Sequence, residues 1–80
     1  MTTLYVLDIP EFGAFVEAAE NQHMTVRRAG DYVEVTADGP LEIQRAQVGA
    51  RPAIWFAALT AGYRGRLVIL DEDRLLLVDK

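Results

Sequence analysis

The sequence predicts an α+β domain with an antiparallel-rich sheet and two helices, in the order β-α-β-β-β-α-β-β. Two segments, residues 9–21 and 52–61, carry apolar residues in helical patterns. Short β-prone segments, separated by turn residues, fill the rest of the chain. Because these strands come in consecutive groups, the pattern favours α+β over an alternating α/β fold. A chain of 80 residues is expected to form one domain, over residues 1–80.

The first predicted elements are a strand and an amphipathic helix. Residues 2–7 are β-prone, and a short strand and an extended lead-in both fit them. Asp8 and Glu11 then have the spacing of a capping box, with the Asp8 side chain accepting from the first turn. The apolar residues that recur at helical spacing are Phe12, Phe15, Val16 and Ala19. We expect a helix over residues 9–21 that packs on the core through this face.

Three segments of alternating polarity follow, at residues 24–27, 32–37 and 41–45. Ala29-Gly30-Asp31 marks the first turn between them. Asp38-Gly39 is a strong hairpin signal, and a primed turn there would need a positive φ at Gly39. These segments predict a three-stranded meander with one face in the core and the other in solvent.

The last of these three segments has an alternative interpretation. Leu41, Arg45 and Val48 also fit one side of a helix, so residues 41–48 could be helical. The strand is preferred because its polar and apolar residues continue the alternation of the two segments before it.

The second helix is predicted from Pro52, which suits a first helical position, to Gly62, which suits the position after the last turn. Small residues dominate one side, which consists of Ile54, Ala57, Ala58 and Ala61. The large residues Trp55, Phe56 and Leu59 occupy the other side. A helix that is apolar all round is buried, and a chain this short has little further protein to cover the large side.

The chain ends in a predicted hairpin, residues 66–70 and 75–78, whose strands do not alternate in polarity. Continuous apolar runs are typical of strands buried on both faces. One face can take the helices, and the other needs the rest of the sheet or a second chain. We therefore expect a homodimer or a heteromer, with an interface formed by Trp55, Phe56, Leu59, Leu76 and Val78.

Composition excludes several classes of function. The chain has no cysteine, which excludes disulfides, thiolate metal sites and a cysteine nucleophile. Its formal charge of −4 disfavours binding to nucleic acids and to anionic membranes. No apolar run approaches the about 20 residues that span a bilayer. Because no basic segment precedes the first apolar residues, a secretory signal is not expected, and a cytoplasmic location follows as the default.

No group of residues has the spacing of a catalytic triad, a metal site or a phosphate loop, so neither a cofactor nor a metal is expected. His23 is the only histidine and has no evident partner nearby. The acids of residues 71–73 are interpreted as turn residues. Residues 62–66 follow a helix, whereas phosphate loops precede one. Arg28 falls in the inward register of its strand, where it must reach the sheet edge or a carboxylate.

Two functional hypotheses remain. The first is a non-catalytic assembly protein, either a homodimer or an accessory subunit of a larger complex. The alternative is a small-molecule-binding protein or minor enzyme, whose pocket would be lined by His23, Trp55, Tyr63 and Arg64. The first is preferred because an excess of apolar surface is visible in the sequence, whereas a catalytic arrangement is not.

Overall fold

The computed structural model describes residues 1–79 and shows an α+β fold of two antiparallel sheets with short helices, which confirms the predicted class. The strands are β1 (Thr2–Leu7), β2 (Thr25–Ala29), β3 (Tyr32–Ala37), β4 (Leu41–Gln44), β5 (Tyr63–Arg64), β6 (Arg66–Leu70) and β7 (Arg74–Val78). The helices are a 3-10 turn at Pro10–Phe12, α1 (Gly13–Asn21), α2 (Arg45–Val48) and α3 (Pro52–Phe56). The first segment is therefore a strand, and α2 and β5 are additions to the predicted order.

Two bent strands join the sheets. The four-stranded sheet has the order β2-β3-β1-β5, and the three-stranded sheet has the order β4-β7-β6. β3 leads into β4 through Asp38-Gly39-Pro40, and β5 leads into β6 through Gly65. β1 pairs with both β3 and β5, and β7 pairs with both β4 and β6, so β1 and β7 are the inner strands beside these two connections.

Both sheets and the helices contribute to one core. The fully buried sheet residues include Leu4, Val35, Leu41, Ile43, Leu75 and Leu77. Phe15 from α1 and Trp55 from α3 pack on them, with their rings stacked 5.8 Å apart at 13°. The indole N–H of Trp55 donates to the carbonyl of Asp71, 2.6 Å away. This hydrogen bond satisfies the polar atom of a side chain that has no remaining solvent exposure.

The first helix is present, but its cap differs from the prediction. Phe12, Phe15 and Ala19 are buried as expected, and Val16 packs on the core while partly exposed. The helix begins with the 3-10 turn, and no side chain caps it. The predicted capping box is wrong because the Asp8 carboxylate instead binds Arg28, with Nη1 and Oδ2 2.6 Å apart. This pair gives Arg28 the carboxylate that its inward register requires.

The predicted three-stranded meander is wrong in its last strand. β2 and β3 pair as expected, but β4 leaves the first sheet and pairs with β7 in the second. Gly39 is not among the glycines with positive φ. Pro40 supplies the physical reason, because a residue before proline is restricted to extended conformations. Asp38-Gly39 therefore forms a corner between the sheets, held by the Thr2 hydroxyl, which donates to the Gly39 carbonyl at 2.8 Å.

The strand and helix alternatives for residues 41–48 are each correct for half of the segment. The chain is extended through Gln44 and then forms the single turn of α2. Gln47 accepts from the backbone N–H of Gln44 at 3.0 Å, which closes a capping box. Gly49 ends the turn in a left-handed conformation with φ 66°.

The second helix is shorter than predicted, because α3 ends at Phe56. Tight turns follow, with the N–H of Ala58 bound to the Trp55 carbonyl and the N–H of Thr60 bound to the Ala57 carbonyl. The Thr60 hydroxyl also donates to the Ala57 carbonyl at 2.7 Å, a local bond that competes with continued helix. Trp55 faces the core, whereas the adjacent Phe56 is 44% exposed, so the two do not share an outer side.

Substitutions at two glycines test the corner geometry. Gly65 has φ +121°, and a Cβ there would lie 2.6 Å from the Val78 carbonyl oxygen. We expect Gly65→Ala to lower the free energy of unfolding by at least ~1–3 kcal/mol, the usual range for backbone strain. A Cβ on Gly39 meets no atom within 4 Å, so Gly39→Ala is the matched control and should change stability little. Urea denaturation measures both, and equal tolerance of the two changes would contradict the described corners.

Candidate functional site

The four residues predicted to bind a ligand do not lie together. Aligned residues in the first sheet run from Thr25 on β2, through Thr36 and Thr3, to Arg64 on β5. His23 precedes β2, so it lies near the opposite edge of the sheet from Arg64, across three strand spacings or about 14 Å. Trp55 is fully buried and offers no surface to a ligand. The predicted pocket is therefore not assembled.

Tyr63 and Arg64 lie on the short strand β5. The Arg64 Nε donates to the Tyr5 hydroxyl at 2.9 Å. The Tyr63 side chain remains 39% exposed. The bond between Arg64 and Tyr5 links β5 to β1 at the edge of the first sheet. Arg64 therefore lies on the sheet face opposite the core.

His23 occupies a strained position at the end of α1. Its φ is 61°, and among residues 1–79 it is the one non-glycine residue with positive φ. The N–H of Met24 binds the Ala19 carbonyl and the N–H of His23 binds the Glu20 carbonyl, both at 3.0 Å. These two bonds form a Schellman motif, in which the left-handed residue is usually glycine. Histidine thus occupies a left-handed position in which glycine would have the lower conformational energy.

A polar groove adjoins this histidine. It has a volume of about 340 Å³ and runs between the turn after α1 and the corner between β3 and β4. The polar side chains in its lining are those of Gln22, His23, Thr25, Thr36 and Asp38. One imidazole, one carboxylate and two hydroxyls can form hydrogen bonds with a small polar molecule. In the described part of the chain, no three His, Asp or Glu side chains are grouped closely enough to hold a metal.

A second groove lies between α1 and the link from α2 to α3. Its volume is about 270 Å³, and its lining includes Val48, Ile54, Glu11 and Arg51. The link is held by Arg45, whose Nε donates to the Ala50 carbonyl at 3.0 Å. The groove has one acid and one base among apolar residues.

The acids of residues 71–73 form the β6–β7 turn. The Asp71 Oδ1 accepts from the backbone N–H groups of Asp73 and Arg74, each at 2.9 Å. These two bonds stabilise the carboxylate and lower the pKa of Asp71. This carboxylate therefore serves the turn geometry, as the sequence interpretation expects.

The outer side of the terminal hairpin carries an apolar surface. Leu75 and Leu77 are buried in the core, whereas Leu76 and Val78 alternate with them and are only partly buried. Ile69 lies opposite Leu76 on the same face. Leu67 pairs with the buried Leu77 and so lies on the core side of β6, but it is 36% exposed at the free edge, and Val68 in the bulge is 49% exposed. We call this edge and the outer face together, with Leu67, Val68, Ile69, Leu76 and Val78, the hairpin patch.

Within one chain, β7 is buried on one face only, and the other face, for which the sequence predicts further covering protein, stays partly exposed. Only the inner residues of β7 belong to the core cluster, and Ile69, Leu76 and Val78 are not packed against that cluster. Among the predicted interface residues, Leu76 and Val78 lie in the patch. Phe56 is 44% exposed outside it, Leu59 packs on the core, and Trp55 is inside the core.

The free edges of the two sheets differ in charge. β2 carries Arg27, paired with Glu34 at 3.2 Å, and Arg28, paired with Asp8. Charged side chains of this kind protect an edge strand from pairing with other chains. β6 carries a bulge between Leu67 and Ile69 but no charge between Arg66 and Asp71. Sequence reasoning found the apolar runs, but it did not identify β6 as an edge, because edges depend on strand order.

No protein-family model and no curated protein matches this chain. Within residues 1–79, no helix has the length and apolar character required to cross a lipid bilayer. The functional interpretation therefore depends on the geometry of the grooves and of the hairpin patch.

Substitution of His23 tests the strain at the end of α1. A left-handed residue costs a non-glycine side chain ~1–2 kcal/mol, and the greater freedom of unfolded glycine offsets about half of that. We expect His23→Gly to raise the free energy of unfolding by ~0.5–1 kcal/mol. His23→Ala keeps the Cβ and serves as the control, with no gain expected. Thermal and urea melts measure both, and a loss of stability in His23→Gly would contradict the strain.

Proposed function

We propose that this chain is a non-catalytic, cytoplasmic assembly protein that docks on a protein partner through the hairpin patch. The partner is either a second copy or a larger protein of which the chain is an accessory subunit. The observation that carries this proposal is an exposed apolar surface that adjoins a free strand edge with no charge between Arg66 and Asp71. Exposed apolar surface of this kind is typical of protein interaction sites.

The backbone of β6 also supports docking. The N–H of Asp71 binds the Arg74 carbonyl and closes the hairpin. In an antiparallel ladder, hydrogen-bonded and non-hydrogen-bonded pairs alternate, so Leu70 directs its N–H and carbonyl away from Leu75. β6 is the last strand of its sheet, and these groups face outward. An extended segment of a partner can pair with them by strand addition.

The charged side chains support a structural rather than catalytic role. Ion pairs join Arg27 to Glu34, Arg28 to Asp8 and Arg74 to Glu42. All three pairs lie at the surface, where such contacts contribute little to stability but hold side chains in place. They fix neighbouring strands and turns, and none of them includes His23.

A second candidate function is the binding of a small polar molecule in the groove beside His23. The strained backbone of His23 is the observation that favours it, because strain of this kind is often retained at functional sites. Ligand-induced thermal stabilisation that is lost in His23→Gly would support this role. The hairpin patch remains the preferred site because removing its exposed apolar side chains from water would favour association directly.

Cysteine labelling tests the docking surface. The chain has no native cysteine, so Val68→Cys reports on the patch, and Tyr32→Cys, at a residue 42% exposed on the other sheet, is the matched control. In a gentle extract of the source cells, we expect maleimide to modify the control at least tenfold faster than Val68→Cys. Both variants should react equally once unfolded. Equal reaction rates in the folded, native extract would overturn the proposal.

A further inference from the structure

We infer that the partner is a second copy of this chain, related by a twofold axis, with β6 antiparallel to its counterpart. This inference rests on the proposed docking role of the hairpin patch. A twofold interface uses the same surface on both subunits, so that surface must be complementary to itself. The charges and apolar residues of β6 meet this requirement.

The two ends of β6 carry opposite charges. Arg66 is the first residue of the strand, and Asp71-Glu72-Asp73 follows its last residue. Antiparallel pairing of two copies places each Arg66 beside the acidic turn of the other copy. Within residues 1–79, Arg66 forms no ion pair, and the turn bonds of Asp71 use Oδ1 and leave Oδ2 for this contact. Opposite charges at both ends favour this antiparallel orientation and disfavour a shifted register of the two strands.

The middle of β6 is apolar and exposed. Leu67 and Val68 lie between the charged ends, and Ile69, Leu76 and Val78 extend the apolar surface over the adjoining face. Antiparallel pairing of two copies at this edge would bring the β6 side chains Leu67, Val68 and Ile69 against those of the other copy across the axis, and it would join the outer faces of the two hairpins into one surface. Apolar contact in the centre and charge pairs at the rim is the usual organisation of a protein interface.

The bulge in β6 determines which backbone N–H and carbonyl groups are free to pair with the second copy. Leu67 lies opposite Leu77 and Leu70 lies opposite Leu75, so the extra residue between them places both on the same side of the ladder. Leu67 and Leu70 therefore both direct their N–H and carbonyl groups toward the free edge. A bulge also disrupts regular pairing, so the two copies share few main-chain bonds and depend on side chains as well.

Sedimentation velocity of the purified chain tests the inference. At micromolar concentration we expect a mass twice that of the 8.9 kDa chain. Arg66→Glu places like charges together and should weaken the dimer at least tenfold. Glu72→Arg should also weaken it, and the double variant Arg66→Glu with Glu72→Arg should restore most of the affinity. Arg51→Glu, which changes an exposed arginine at the start of α3, is the control and should leave the dimer intact.

A variant at the apolar centre separates loss of association from loss of folding. Val68→Lys changes a half-exposed side chain, so it should give a folded monomer with an unchanged circular dichroism spectrum. A wild type that is monomeric at about 100 µM, well above the micromolar range of weak complexes, would overturn the second-copy inference. Protection of Val68→Cys in the cell extract would then still support docking on a different protein. A wild-type dimer insensitive to Arg66→Glu would also overturn the inference.

Discussion

The indole of Trp55 is the contact on which the arrangement of the helices and the terminal hairpin depends. It stacks on Phe15 from α1 and donates its N–H to the carbonyl of Asp71 at the β6–β7 turn. One side chain therefore links both helical segments to the second sheet. Trp55 is fully buried and the bond is partly buried, so loss of the indole N–H would cost about 0.5–1.5 kcal/mol, the net value of a typical hydrogen bond. A core this small has few other contacts that could compensate.

The inward position of Trp55 also determines what remains uncovered. Phe15, Trp55 and the residues beside them fill the space between the inner faces of the two sheets. On the outer face of β6 and β7, Ile69, Leu76 and Val78 lie outside the core cluster and stay partly exposed. The same packing that completes the core thus leaves the hairpin patch at the surface. This relation between core and patch is the physical basis for the proposed association.

Sequence patterns predicted most elements because local signals determine them. The helical spacing of Phe12 and Phe15 and the turn residues around Gly30 identify elements without knowledge of the fold. The meander failed because Pro40 restricts Gly39 more strongly than Asp38-Gly39 favours a primed turn. Trp55 was placed at an interface because the side with small residues was expected to pack on the sheet, whereas Trp55 is fully buried and Ile54 and Ala57 stay partly exposed. The strand order that makes β6 an edge depends on long-range pairing, which the sequence does not show.

Hydrogen exchange of the Trp55 indole N–H, followed by NMR in D2O, tests the role of this side chain most directly. If the indole links α1, α3 and the β6–β7 turn, its N–H can exchange only when the whole domain unfolds. We predict an opening free energy equal to that of the backbone N–H groups in the centre of β1 and to the global value from urea denaturation. Exchange from a local opening, with a free energy several kcal/mol below the global value, would contradict this role.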